Sequence, residues 1–100
     1  MISSRTYVGA GESSHFYTTL IDEKKQDFLP PIEAAKYVHS KLPERNEPYS
    51  FSIVYFASGY HIAQGYMYGN KRYGDMTICR LGGHVAHITI MNGEFQESVI

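Results

Sequence analysis

The chain predicts an α+β fold: an antiparallel β-meander of about five strands plus an N-terminal strand, with one helix packed on one face. Turn signals at Ser58-Gly59, Gly69-Asn70-Lys71, Leu81-Gly82-Gly83 and Asn92-Gly93 divide the second half into short segments rich in Tyr, Ile, Val, Thr and Phe, the pattern of successive hairpins. A single stretch, opened by Pro30-Pro31, repeats apolar residues at helical spacing. A helix segregated to one side of an antiparallel sheet is the layering that this order of elements favours.

In chain order, residues 1–14 are rich in Gly and Ser, with a short strand expected at 5–8. Residues 15–21, His-Phe-Tyr-Thr-Thr-Leu-Ile, are β-branched and aromatic enough for a strand, and 22–27 read as a charged connection. Proline is tolerated in a helix's first turn, and Ile32, Ala35, Val38 and Leu42 then form one apolar stripe that ends at Pro43. The five later strands are expected at 49–57, 60–68, 72–80, 84–91 and 94–99.

Hairpin register follows from loop length, and a slip of one residue exchanges the two faces of a strand. A two-residue loop at Ser58-Gly59 and three-residue loops at Gly69-Asn70-Lys71 and Leu81-Gly82-Gly83 place Phe51, Ile53, Tyr55, Ile62, Tyr66, Met76, Ile78, Ala86, Ile88, Ile90, Phe95 and Val99 on the helix-covered face. The opposite face then collects Ser52, Val54, His61, Gly65, Met67, Tyr73, Asp75, Thr77, Cys79, Val85, His87, Thr89 and Met91. On this register His61 faces Cys79, Thr77 faces His87, and Asp75 faces Thr89 and an open space at Gly65. Tyr73 lies between Met67 and Met91. The candidate binding residues are therefore Met67, Tyr73, Asp75, His87, Met91 and His61. For Asn92-Gly93, a two-residue type I′ turn is expected.

Composition bounds the function. One hundred residues, 43% hydrophobic and 19% charged, suit a single α+β domain over 1–100. A formal net charge of -1 with scattered Lys and Arg excludes the electrostatic footprint of a nucleic-acid partner. One cysteine, Cys79, leaves no intrachain disulfide framework. No apolar stretch approaches membrane-spanning length and no secretory signal opens the chain, so the expected location is cytoplasmic with no membrane partner. Nine tyrosines and no tryptophan suit both strand filling and interface contact.

No motif carries a cofactor or metal signature. Gly9-Ala10-Gly11-Glu12-Ser13-Ser14 lacks the Gly-Lys-Ser/Thr ending of a phosphate-binding loop. His84 and His87 stand three apart on a strand and point to opposite faces, so they do not close on one ion. His87-Ile88-Thr89 resembles the His-x-Thr element of two-histidine phosphoesterases: residues two apart on a strand share a side, so an imidazole and a hydroxyl reach one phosphate. That resemblance implies a two-lobed enzyme with two such elements. This chain holds one, so a homodimer would have to supply the second.

The expected function is a small noncatalytic protein-binding protein, of the inhibitor or immunity type found in bacteria and phages, acting by occluding a macromolecular partner. One alternative is a small dimeric phosphoesterase using His87 and Thr89, and another is a structural homo-oligomer whose open face is a subunit interface.

Overall fold

The computed structural model describes residues 12–13, 15–80, 83 and 85–98. The expected strand at 5–8, residues 81, 82 and 84, and Val99 lie outside the described residues. Eight elements follow one another: β1 (Glu12–Ser13), β2 (Phe16–Lys25), α1 (Pro31–Lys41), β3 (Tyr49–Ala57), β4 (Tyr60–Tyr68), β5 (Tyr73–Arg80), β6 (Val85–Met91) and β7 (Glu94–Ser98). All strands belong to one sheet whose spatial order is the chain order. Strands β3 to β7 form the expected antiparallel meander. The N-terminal strand joins its edge, and the β2–β3 pair is parallel because a helix, not a hairpin, connects them.

Pro31 occupies the first helical turn, and the first intrahelical bond runs from Ala34 N–H to Pro30 O at 2.8 Å. Ala34, Ala35, Val38 and Leu42 are buried, and Ile32 packs beside them, as the periodicity requires. Leu42 leaves the helix with an extended backbone, φ -82° and ψ 146°. This is the conformation a residue before proline favours, and Pro43 follows. The apolar stripe lies over β5, β6 and β7.

β2 runs past its predicted end. The sequence 22–27 looks like a connection because it is charged, but the strand resumes after an irregularity between Leu20 and Lys24 and pairs Lys25 with Ala57. Edge strands tolerate charge, and here the charges have partners on the helix. Tyr37 donates to Glu23 Oε1 at 3.1 Å, and the ammonium groups of Lys25 and Lys41 stand 4.9 and 5.6 Å from the Tyr37 ring centre.

β4 departs from the predicted register. Phe56 pairs with Tyr60, so the first connection is Ala57-Ser58-Gly59, closed by Ala57 N–H to Gly59 O at 2.8 Å. Tyr68 pairs with Tyr73, so the next turn also holds one more residue than expected. Each difference is a single residue, and together they shift β5 by two residues against β3, which restores its face. β5, β6 and β7 therefore keep their predicted faces, while β4 is reversed: His61, Ala63, Gly65 and Met67 face the helix side, and Ile62, Gln64 and Tyr66 face away. The core so formed centres on Val38, Phe51, Ile53, Tyr55, Met67, Met76, Ile88 and Ile90. Each large side chain there contributes about 1.5–3 kcal/mol by leaving water.

The second of these turns carries positive φ at three consecutive residues, Gly69 (64°), Asn70 (56°) and Lys71 (69°). Lysine is disfavoured in that region by about 1–2 kcal/mol. Its side chain offsets this, donating to His39 O at 2.9 Å and Leu42 O at 2.8 Å, so an ammonium caps the negative end of the helix. His39 returns the contact, its Nε2–H donating to Lys71 O at 2.9 Å while the ring stands edge-on to Phe95. The last hairpin matches its prediction: Asn92 (φ 52°) and Gly93 (φ 84°) form the two-residue turn with both central residues left-handed.

Burial holds the His39 imidazole below its usual 6.5; the bond to the Lys71 carbonyl and the Glu44 carboxylate oppose this, and the Lys71 ammonium reinforces it. The folded chain therefore binds this proton less tightly than the unfolded chain. The stabilisation is complete above the unfolded value of 6.5 and is lost as pH falls through the folded value. Thermal melts between about pH 7.5 and about pH 5 should show the loss, and His39→Gln, a neutral donor at every pH, should reduce its slope. An unchanged slope would remove His39 as the source.

Candidate functional site: the open sheet face

Strand alternation and cross-strand register assemble the face away from the helix into transverse rows. The central row is polar: Thr18, Ser52, Gln64, Thr77, His87 and Ser98 are successive partners across β2 to β7. On one side runs an apolar row, Leu20, Val54, Ile62 and Cys79, and beyond it Phe56 pairs with Tyr60 beneath the Lys24 ammonium, 5.6 Å from the Phe56 ring centre. On the other side Phe16, Ser50, Tyr66, Asp75, Thr89 and Gln96 form the next row. Tyr68 and Tyr73 close the face at the turn end of β4 and β5.

Three of those tyrosines form one stack. Tyr66 and Tyr68 lie 6.0 Å apart at 15°, and Tyr68 and Tyr73 lie 5.6 Å apart at 21°. Residues two apart on β4 and a directly opposed pair across β4 and β5 bring the rings together. The Lys71 turn immediately follows Tyr68 and holds it opposite Tyr73. Met91 is 65% exposed and lies one residue beyond the Gly74–Ile90 pair, toward Tyr73.

Of the predicted site residues, Tyr73, Asp75, His87, Thr89 and Met91 lie on this face, with Thr77 opposite His87 and Asp75 opposite Thr89 as expected. Met67 does not: the extra turn residue carries it to the helix side, where it is fully buried. Tyr68, not Met67, is the partner of Tyr73. His61 is likewise a core residue, stacked on Tyr55 at 5.1 Å and 13°, with its Nδ1 3.1 Å from Gly59 O. Cys79 consequently faces Ile62, and neither His61 nor a carboxylate stands opposite it on β4. The open space expected beside Asp75 is filled, because Gly65 lies on the other face with backbone atoms of β5 against its Cα hydrogens.

Tyr66 and Tyr68 escaped the sequence reading. Their spacing of two was visible, but the face they occupy depends on the length of two loops.

His87 and Thr89 do share a side, but the residue opposite Thr89 is Asp75, a carboxylate where a phosphate would need donors. Among the described residues no group of three His, Cys, Asp or Glu is placed to hold a metal ion, and no helix is long and apolar enough to cross a membrane. Charge is sparse on the face, its carboxylates and ammonium groups among the described residues being Asp22 and Lys24 on β2, Asp75 on β5 and Glu94 on β7. Compared with family models, with curated proteins and with solved structures, the chain matches none.

Proposed function

We propose that the chain is a small noncatalytic protein-binding module that acts by covering a functional surface of another protein, in the manner of inhibitors and immunity proteins. The observation that supports it is the stack of Tyr66, Tyr68 and Tyr73 with the exposed Met91 at one end of an open sheet face. Tyrosine supplies stiff contact area with a polar tip, and methionine adapts to a partner's contour. These residue types concentrate binding energy at protein interfaces. The sparse charge of the face favours a protein over a nucleic acid, whose binding draws on Lys and Arg against phosphate.

The test is affinity capture from the cells that carry the gene, with the wild-type chain and Tyr66→Lys/Tyr68→Lys as baits. Both positions are exposed and lie outside the core, so the variant should melt within a few degrees of wild type. A specific protein held by the wild type should be depleted at least about tenfold on the variant. Equal capture by both baits, or no specific protein at all, would refute the reading.

A further inference from the structure

The open face is patterned across its width as well as along its strands, and over β2 to β4 that pattern is self-complementary. We propose that a second copy of this chain packs on it, sheet against sheet, in a two-fold pair centred on the polar row near Gln64 and Thr77. The proposal rests on the reading that this face is the binding surface, and it names one occupant.

Three observations support a second copy. The first is arrangement: an aliphatic row, Leu20, Val54 and Ile62, lies on one side of the polar row, and on the other Phe16 and Tyr66 stand among Ser50, Asp75, Thr89 and Gln96. A two-fold axis lying along the polar row sets hydroxyl, amide and imidazole groups against their own copies. It also carries Phe16 and Tyr66 of each chain onto Leu20 and Ile62 of the other, aromatic onto aliphatic. An isologous contact needs a patch that matches itself in this way.

The second is charge. Asp22, Lys24 and Glu94 sit near the margins of the face and Asp75 is the one carboxylate near the middle among the described residues, so two copies approach with little repulsion. The third is area. Six strands about 4.8 Å apart, with rows about 6.8 Å apart, make a patch of roughly 24 by 27 Å. With side-chain relief, that approaches the roughly 800 Å² each partner buries in a standard interface. Leu20, 54% exposed, and Phe16, 38% exposed, would then leave water, as the inner faces of a β-sandwich do.

Sedimentation velocity from about 1 to about 100 µM should show a reversible monomer–dimer equilibrium. Ile62→Lys should raise the dissociation constant about 100-fold or more, because a two-fold interface contains the substitution twice, while the melting temperature of the monomer stays near wild type. In a Cys79→Ser background, Thr77→Cys should be joined by a short bismaleimide into a covalent dimer, whereas Ser40→Cys on the exposed side of the helix should not.

A monomer at every concentration, or a dimer that Ile62→Lys leaves intact, overturns the proposal, and so does linkage at position 40 in place of 77. The two readings fail separately. A strict monomer whose tyrosine variant still loses its captured protein removes the dimer and keeps the binding module; a face-to-face dimer with equal capture by both baits does the reverse.

Discussion

Gly65→Ala is expected to destabilise the chain by about 3 kcal/mol, at the upper end for an overpacked site, and to lower the melting temperature by more than about 10 °C. A Cβ on Gly65 would sit 2.0 Å from the Asp75 carbonyl oxygen, 2.7 Å from Met76 Cα and 2.9 Å from the Asp75 carbonyl carbon. All three are backbone atoms of the neighbouring strand, so no rotamer change makes room. β4 and β5 would have to part at the middle of their ladder, where Gly65 pairs with Met76, itself fully buried. Gly74 repeats the constraint from β5, with Tyr66 O 2.3 Å from its virtual Cβ. A thermal melt decides it, and a Gly65→Ala chain melting within a few degrees of wild type would contradict the close approach of these strands.

Ile53→Asp should abolish the cooperative fold. Ile53 is wholly buried at the centre of β3, between Thr19 on β2 and Ala63 on β4. An aspartate there must either keep an unpaired charge out of water or take up a proton, and both add to the lost apolar burial. The sum is expected to exceed about 4 kcal/mol, most of the stability of a marginal domain of this size. Thr77→Val, on the polar row of the opposite face and half-exposed, is the matched control and should melt near wild type. Circular dichroism on the pair reads both outcomes, and a folded Ile53→Asp chain would mean that β3 faces the other way.

The comparison of β3 with β4 explains how much of the fold was legible in the sequence. β3 alternates Phe51, Ile53 and Tyr55 with smaller or more polar residues, and one face claims them without ambiguity. β4 reads Tyr-His-Ile-Ala-Gln-Gly-Tyr-Met-Tyr, in which either alternate set carries apolar residues. Hydropathy therefore does not choose its face, and only loop length does. Both flanking loops hold one residue more than the predicted register assigns them, and Ser58, Asn70 and Lys71 in them adopt a left-handed backbone usually associated with glycine. Asn70 signals this conformation in a sequence. Lys71 does not, since its stabilisation comes from the helix end, a contact no local pattern records.

The candidate site inherited that ambiguity. Tyr73, Asp75, His87, Thr89 and Met91 come from strands whose face was legible, and they remain together. Met67 and His61 come from β4 and leave; Tyr66 and Tyr68, from the same strand, replace them. The helix was readable from its stripe and its prolines, whereas the continuation of β2 through charged residues depended on Tyr37 and Lys41, side chains of a different element.

The order of strands in the sheet has a consequence for how the chain acquires its shape during synthesis. From β2 onward each strand lies beside the one made immediately before it, so every arriving strand meets an edge already in place. The helix is the exception: it is made before β3, yet its apolar stripe rests on β5, β6 and β7, the last strands to emerge. Until they do, the helix is held to the early strands through Tyr37, which meets Glu23 on β2 and Tyr55 on β3, and lacks the strands it lies nearest. Closure of the early half of the molecule therefore waits on the late half, and a fault in the final hairpin is felt at a helix written far upstream.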